Sequence, residues 1–294
     1  MSKTLLGILA SPRKLGNCEL FVKELCGRLG NDWQLQLVRI SDLDIRPCRA
    51  CYSCLFEAMR CPQKDDFELV VEALVKSDAY VVAAPTYFLS ANAGLKRLLD
   101  RGLALYGHID RLWGKPALGV VMAGIEGMEG HAKLGVESCI KLMLGDLRAC
   151  EVIYGALPGE IFVDGKADAA AARLAKALLA VGAHRGPELR GTLCPLCGGD
   201  TFRFLPEGGI RCMLCSSSGV YRWADGRLEF ELWPGNHPLF LSRDDAMRHL
   251  EWLRAMKDEF LARRKELKSR VQARHLKTGT WIKSRSGEEP DQIR

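Results

Sequence analysis

The run Cys48-Arg49-Ala50-Cys51-Tyr52-Ser53-Cys54, followed by Cys61, places four thiols in the spacing C-x2-C-x2-C-x6-C. So little chain between cysteines leaves no room for an independent element. The stretch must fold around something its sulfurs hold, or stay a loop on a larger scaffold. Three thiolates can converge from one turn of backbone, and the longer gap gives a fourth the slack to close a cage, as iron–sulfur clusters require. Zinc knuckles come as two C-x2-C pairs across a longer strand-bearing insert, which this run lacks. Residues three apart in a tight loop also make poor disulfide geometry. The spacing therefore favours a cluster over zinc, and over thiols with a redox, structural or no metal role.

Twelve cysteines in 294 residues would suit a disulfide scaffold only in a shorter chain, and most of these fall into two tight groups. Metal binding in a reducing cytoplasm is the expectation. Its length allows one sizeable core and something smaller, and 48% hydrophobic with 27% charged residues is the composition of a soluble globular protein. The formal charge of +6, concentrated toward the C-terminus, is too small to argue for nucleic acid by itself. The apolar run near the N-terminus is short and ends in Ser11-Pro12-Arg13-Lys14 without a cleavage region, so a core strand explains it better than a signal segment. No apolar stretch approaches the length of a membrane span.

Residues 4–10 read as a doubly covered parallel strand, and a helical pattern runs from Cys18 to about Leu29. Between them, Ser11-Pro12-Arg13-Lys14-Leu15-Gly16-Asn17 sets hydroxyl, guanidinium, amide and a permissive glycine at a helix N-terminus, where free N–H groups and the dipole favour an anion. Taken alone, the same loop reads as an ordinary polar turn, and it lacks G-x-G-x-x-G. Strands over 34–40, 79–84, 117–123 and 151–157 then alternate with helices over 65–76, 91–105, 130–144 and 167–181. This alternation predicts a doubly wound five-stranded parallel sheet with ligands at the carboxyl ends of its strands. Two more loops lie at those ends. Pro85, Thr86, Tyr87 and Phe88 supply amides, a hydroxyl and two rings suited to a flat heterocycle. Gly124, Gly127 and Gly130 let backbone approach such a ring closely. Phosphate at the first loop and a planar ring between the others describe FMN.

Residues 1–185 resemble the NAD(P)H-dependent FMN reductases of the flavodoxin-like fold, and the cysteine run is similar to that of the iron–sulfur flavoproteins among them. The matching stretches are Ser11-Pro12-Arg13-Lys14-x-Gly16-Asn17, Pro47-Cys48-x-x-Cys51-x-x-Cys54 with Cys61 and Asp65-Asp66, Pro85-Thr86-Tyr87-Phe88, and Leu95-Lys96-x-x-x-Asp100-Arg101. The resemblance implies FMN at the three loops, held by Ser11, Arg13, Gly16, Asn17, Cys18, Pro85, Thr86, Tyr87, Phe88, Gly124, Gly127 and Gly130. It also implies a [4Fe-4S] cluster on Cys48, Cys51, Cys54 and Cys61, within a loop spanning 46–64. Homodimers or homotetramers would bring the flavin and cluster of neighbouring subunits together. Cys18 stands where the family usually has Ser or Thr.

After His184-Arg185-Gly186-Pro187 the alternation stops. Cys194, Cys197, Cys212 and Cys215 make C-x2-C-x14-C-x2-C with strand candidates at 201–205 and 220–223, which describes a zinc ribbon over 191–235. A rubredoxin-like iron centre would use the same thiolates, although Cys212-Met213-Leu214-Cys215-Ser216 lacks that family's usual Pro and Gly. So small a module buries little core, so its metal should supply folding energy. Ser242 with Asp245 predicts an N-cap for an amphipathic helix over 242–278. Its packing face is Met247, Leu250, Leu253, Met256 and Phe260, and its end is basic through Arg263, Arg264, Lys265, Lys268, Arg270, Arg274 and Lys277. That end reads as solvated, or as a site for partner or RNA contact. The tail 279–294 is expected to be disordered.

The function expected is an FMN-dependent oxidoreductase coupling flavin to a [4Fe-4S] cluster, with a small redox protein such as ferredoxin, or NAD(P)H, as donor. FMN exchanges electrons in pairs or singly and a cluster one at a time, so the protein's task would be placement and tuning rather than acid–base catalysis. Arg46, Arg49 and Arg60 flank the cysteines as solvated charges or as a docking rim. The alternatives are a cluster-free NAD(P)H-dependent FMN or quinone reductase, and a flavin-based redox-sensing regulatory protein that binds through the ribbon.

Overall fold

The computed structural model describes residues 2–56, 59–180, 193–224, 226–274 and 282. The inter-module linker, His275, Lys277 and nearly all of the tail therefore lie outside the described residues. The elements in chain order are β1 (Lys3–Leu9), α1 (Asn17–Gly27), β2 (Trp33–Arg39), α2 (Phe67–Lys76), β3 (Ala79–Tyr87), β4 (Ser90–Ala91), α3 (Ala93–Leu99), α4 (Ile109–Leu112), β5 (Lys115–Ala123), α5 (Ala132–Leu142), β6 (Gly145–Tyr154) and α6 (Lys166–Leu179). The second module adds β7 (Phe202–Phe204), β8 (Gly209–Cys212), β9 (Ser218–Ala224), β10 (Arg227–Trp233) and α7 (Arg243–Gln272). Among the described residues no helix is long and apolar enough to cross a membrane.

The first sheet runs β2-β1-β3-β5-β6, all parallel, with β4 folded back antiparallel onto β3. The order reverses between β1 and β3, and a ligand cleft is expected outside the carboxyl ends at that point. In β1, Leu6 and Ile8 face one apolar layer while Leu5 and Leu9 face the other. A strand covered on both faces must be apolar at every position, which is why the first strand was legible as an unbroken run. Helices α1 and α6 cover one face, and α2, α3 and α5 the other, joined there by Ala246 and Leu250 of α7.

Three expectations need correction. The helix over 91–105 stops at Leu99 and continues as a 3-10 segment from Gly102 to His108. There the Met59 carbonyl packs against Gly107 where any Cβ would stand, so the cysteine loop takes the space a regular helix would fill. The last parallel strand starts at Gly145 rather than Glu151. Its early part alternates Asp146 and Arg148 with Leu147, and Arg148 Nε pairs with Asp146 at 2.7 Å, so this edge strand carries charge that masks its period. In α7, Met247, Leu250 and Leu253 pack onto the domain, whereas Phe260 is exposed. The packing face is therefore shorter than the apolar stripe.

The second sheet is antiparallel in the order β10-β9-β8-β7. Two of its strands answer the expected candidates, and β8 and β10 are additional. The sheet rests on α5 through Leu134 and Leu142, and Lys133 pairs with Asp200. The N-cap of α7 forms as expected: Asp245 N–H donates to Ser242 Oγ at 3.1 Å and Ser242 N–H to Asp245 Oδ2 at 2.8 Å.

Candidate functional site

A cleft of about 650 Å³ opens at the switch point, lined by Ser11, Arg13, Asn17, Cys18, Pro85, Thr86, Tyr87, Met122, Gly124, Gly155, Ala156 and Pro158. Its first wall is the loop into α1. Arg39 Nη1 donates to the Arg13 carbonyl at 2.6 Å and the Ser11 carbonyl at 3.3 Å, while Nη2 meets Glu19 Oε2 at 2.6 Å. The Leu15 N–H closes onto the same Glu19 oxygen at 2.8 Å. A hydrogen bond from Lys23, opposed by burial and reinforced by Arg39 and the Leu15 amide, holds the Glu19 carboxyl down to about 2. The loop is thus tied through its carbonyls, and the first-turn N–H groups of α1 are left for an anion.

Asn17 does something the sequence did not foretell. Its Nδ2 donates to the carbonyls of Gly155 at 3.1 Å and Leu157 at 3.0 Å, and its Oδ1 accepts from the Gly159 N–H at 2.8 Å. Arg13 Nη1 adds a bond to the Ala156 carbonyl at 3.3 Å. The loop after β6 is therefore a fourth wall of the cleft. The rule that ligands sit at strand carboxyl ends applied to Gly155-Ala156-Leu157-Pro158 as well as to the other three loops. Cys18 is buried and lines the cleft, and burial pushes its thiol up to about 12, so it offers a neutral S–H there.

Thr86 Oγ1 is buried beside the cleft with no hydrogen-bond partner among the described residues. A buried hydroxyl without a partner is costly, and a polar ligand in the cleft would relieve that cost. An anion end at α1, apolar Met122 and Pro85, the Tyr87 ring and this hydroxyl together suit the phosphate and ring of FMN. Gly16, Phe88, Gly127 and Gly130 are not among the lining residues. Gly16 is the N-cap of α1. Phe88 is fully exposed on a turn whose residues Phe88 and Leu89 have φ of 49° and 63°. Gly130 has φ of 55° and leaves room for the Leu89 carbonyl.

The cysteine loop leaves the same edge of the sheet after β2. Cys48 and Cys51 are exposed, and Cys54 and Cys61 half-buried. One left-handed residue lies within each C-x2-C, Ala50 with φ of 50° and Tyr52 with φ of 56°. Each costs about 1–2 kcal/mol in a residue other than glycine and turns the chain back within the loop, although the four loop sulfurs do not form a group as close as a metal site among the described residues. Burial, then the nearby Cys61, Cys51 and Cys48, push the Cys54 thiol up to about 11, so the four thiols share one neighbourhood. Beneath them a buried ion pair joins Arg101 to Asp65, with side chains 1% and 0% exposed. Asp65 also accepts the N–H groups of Arg46 at 2.9 Å and Phe67 at 3.2 Å. The Arg101 guanidinium lies 4.1 Å over the Phe67 ring and beside Cys61.

The ribbon thiols are arranged differently. Cys194, Cys197, Cys212 and Cys215 lie within 4.8 Å of one another, the one such group of potential metal ligands among the described residues. Two matching knuckles bring them there. Cys194 N–H meets the Gly199 carbonyl at 2.8 Å and Gly198 N–H the Cys194 carbonyl at 2.7 Å; Cys212 N–H meets the Ser217 carbonyl and Ser216 N–H the Cys212 carbonyl, both at 2.9 Å. Gly198 and Ser216 hold the equivalent left-handed position, with φ of 70° and 63°. Ser216 thus makes in the second knuckle the turn that Gly198 makes in the first. Four sulfurs this close cannot all ionise unless a cation lies between them, and four thiolates suit zinc or iron.

The family model described as NADPH-dependent FMN reductase matches residues 4–135. An iron–sulfur flavoprotein of Archaeoglobus fulgidus is 32% identical over 160 residues, 53% of this chain and 70% of that protein. A second iron–sulfur flavoprotein of the same organism is 33% identical over 144 residues, 48% of this chain and 68% of that protein. A solved flavone reductase shares the fold at a TM-score of 0.70 and 16% identity, covering 96% of this chain and 99% of its own, so the likeness extends over the second module. The cleft and these relatives agree: the chain belongs to the NADPH-dependent FMN reductase family, among its iron–sulfur flavoproteins, and is a flavin-dependent oxidoreductase with FMN as cofactor.

Proposed function

We propose that the protein passes electrons between FMN in the cleft and a [4Fe-4S] cluster on Cys48, Cys51, Cys54 and Cys61. NAD(P)H or a small redox protein would be the donor, and the ribbon would hold zinc. The observation that carries this reading is the placement of four thiols, two of them exposed, on one loop that leaves the carboxyl edge of the sheet where the flavin cleft opens. When bound, the two groups supply exchange between paired and single electrons. The chain's own residues hold and insulate. Arg39 and Glu19 set the loop at the anion end, Asn17 fixes the fourth wall, and Thr86 offers its hydroxyl. Asp65 and Arg101 support the cysteine loop from below, and Arg101 sets a positive charge beside Cys61. The relatives named as iron–sulfur flavoproteins support the assignment of the loop cysteines to a cluster. Exposure of Cys48 and Cys51 suits exchange with a partner, including a second copy of the chain in a homodimer or homotetramer.

The test is a visible spectrum of protein purified without oxygen, with iron, sulfide and zinc counted per chain. Flavin bands with about four irons and four sulfides, together with about one zinc, are expected. Flavin bands with neither iron nor sulfide, even after reconstitution, would instead leave a plain NAD(P)H-dependent flavin reductase.

A further inference from the structure

Helix α7 reaches back across the first domain and grips the cysteine loop. Arg254 Nε donates to the Leu55 carbonyl at 2.7 Å, and its Nη2 lies 2.8 Å from Met59 Sδ. One turn later, the Lys257 ammonium stands 4.8 Å from the centre of the Phe56 ring. These contacts fall between Cys54 and Cys61, in the gap that must place the fourth thiol. Leu55 itself is fully buried, so the carbonyl that Arg254 takes belongs to the residue anchoring the loop to the core. Two donors of one planar guanidinium span two points of the loop, a geometry that a flexible ammonium does not reproduce.

The grip is continuous with the ribbon. Phe240 packs in the ribbon core with Cys194, Cys212 and Cys215. The Ser242–Asp245 cap starts α7 two residues on. His237, on the segment between ribbon and helix, bonds its Nε2 to His249 Nδ1 at 2.7 Å, and His249 stacks on Trp252. The ribbon core therefore holds the chain entering α7, and the helix, packed on the first domain through Ala246, Leu250 and Leu253, carries Arg254 to the loop.

We propose that Arg254 is a positioning residue for the cysteine loop, and that the ribbon acts on the flavin domain through α7 by holding Arg254 in place. The module then needs no substrate or nucleic acid of its own to matter to electron transfer. The inference deepens the cluster reading and rests on it for its consequence, although the grip itself can be measured without a cluster.

The measurement is amide hydrogen exchange on the full FMN-loaded chain, before and after cluster reconstitution, in the unmodified protein and in Arg254→Met, Arg254→Lys, Lys257→Gln and Cys212→Ser. The informative amides are Leu55, Phe56 and Met59, whose N–H groups bond within the loop to the carbonyls of Tyr52, Ser53 and Phe56. Without the cluster, Arg254→Met is expected to speed their exchange about tenfold, a loss of about 1.4 kcal/mol, while β5 amides stay unchanged. Arg254→Lys should recover part of the protection, Lys257→Gln should have a smaller effect, and Cys212→Ser should reproduce the loop effect from the ribbon. After reconstitution, Arg254→Met should lose iron to a chelator several-fold faster. Unchanged loop exchange in Arg254→Met, or equal acceleration in β5, would overturn the grip; unchanged loop exchange in Cys212→Ser would overturn the coupling to the ribbon. If the unmodified protein takes up no iron and sulfide, the cluster reading fails while the exchange comparison still decides the grip.

Discussion

The two cysteine quartets reach their places by opposite routes. In the ribbon, each C-x2-C is a turn closed by its own backbone hydrogen bonds and joined to a strand, and the four sulfurs already lie within 4.8 Å of one another. In the loop, two of the four thiols are exposed, and the backbone passes through left-handed residues at Ala50 and Tyr52. Beside a few hydrogen bonds of its own, it is held by residues distant in sequence, the Arg101–Asp65 pair and Arg254. One quartet belongs to a small fold whose core includes its thiols; the other lies on a loop held in place by its scaffold. A ligand in a core should matter to folding, whereas a ligand on a supported surface should matter to loading alone.

The largest effect should come from Cys212→Ser. The buried part of the ribbon core is Cys194, Cys212 and Cys215 with Ile210, Leu214, Leu232 and Phe240, and structural zinc contributes on the order of 10 kcal/mol to such modules. Zinc content and calorimetry should show the metal and the ribbon's transition lost together, and a ribbon that melts as before would break the contrast. Next comes Arg101→Gln. Leaving Asp65 buried without its partner should destabilise the flavin domain by about 3–5 kcal/mol, measured by urea titration followed through flavin fluorescence. A loss under about 1 kcal/mol would mean that the support below the loop is not electrostatic.

Ser216→Gly sharpens the comparison within the ribbon. Relief of the left-handed strain at φ of 63° should stabilise it by about 1 kcal/mol, seen as a rise in the ribbon's melting temperature. The smallest effect on folding is expected for Cys54→Ser. It should abolish iron and sulfide uptake, yet change the flavin domain's stability by less than about 1 kcal/mol. A large loss there would make the loop cysteines part of the core after all.

How much of this could be read beforehand depended on how local each cause was. The strand β1, the knuckles and the Ser242 cap were legible because a doubly covered strand, a C-x2-C turn and a capping box each write their requirements into neighbouring residues. The cleft was partly legible: Ser11, Arg13, Asn17, Cys18, Pro85, Thr86, Tyr87 and Gly124 line it. Met122 and the 155–158 wall went unnoticed, because nothing local marks a strand residue or a plain loop as cleft-facing. Gly16, Phe88, Gly127 and Gly130 shape the loops without lining the cleft, a distinction that composition does not carry.

By itself the sequence determined the alternation of strands and helices, the two cysteine spacings and the cap of α7, since each follows from periodicity or from contacts a few residues apart. Only the tertiary structure decided what Asp65, Arg101 and Arg254 are for. Asp65 and Arg101 are 36 residues apart, and Arg254 lies 199 residues from the carbonyl it holds. A charged side chain's partner across such a distance is set by how helices and sheet pack, and no local pattern of residues encodes it.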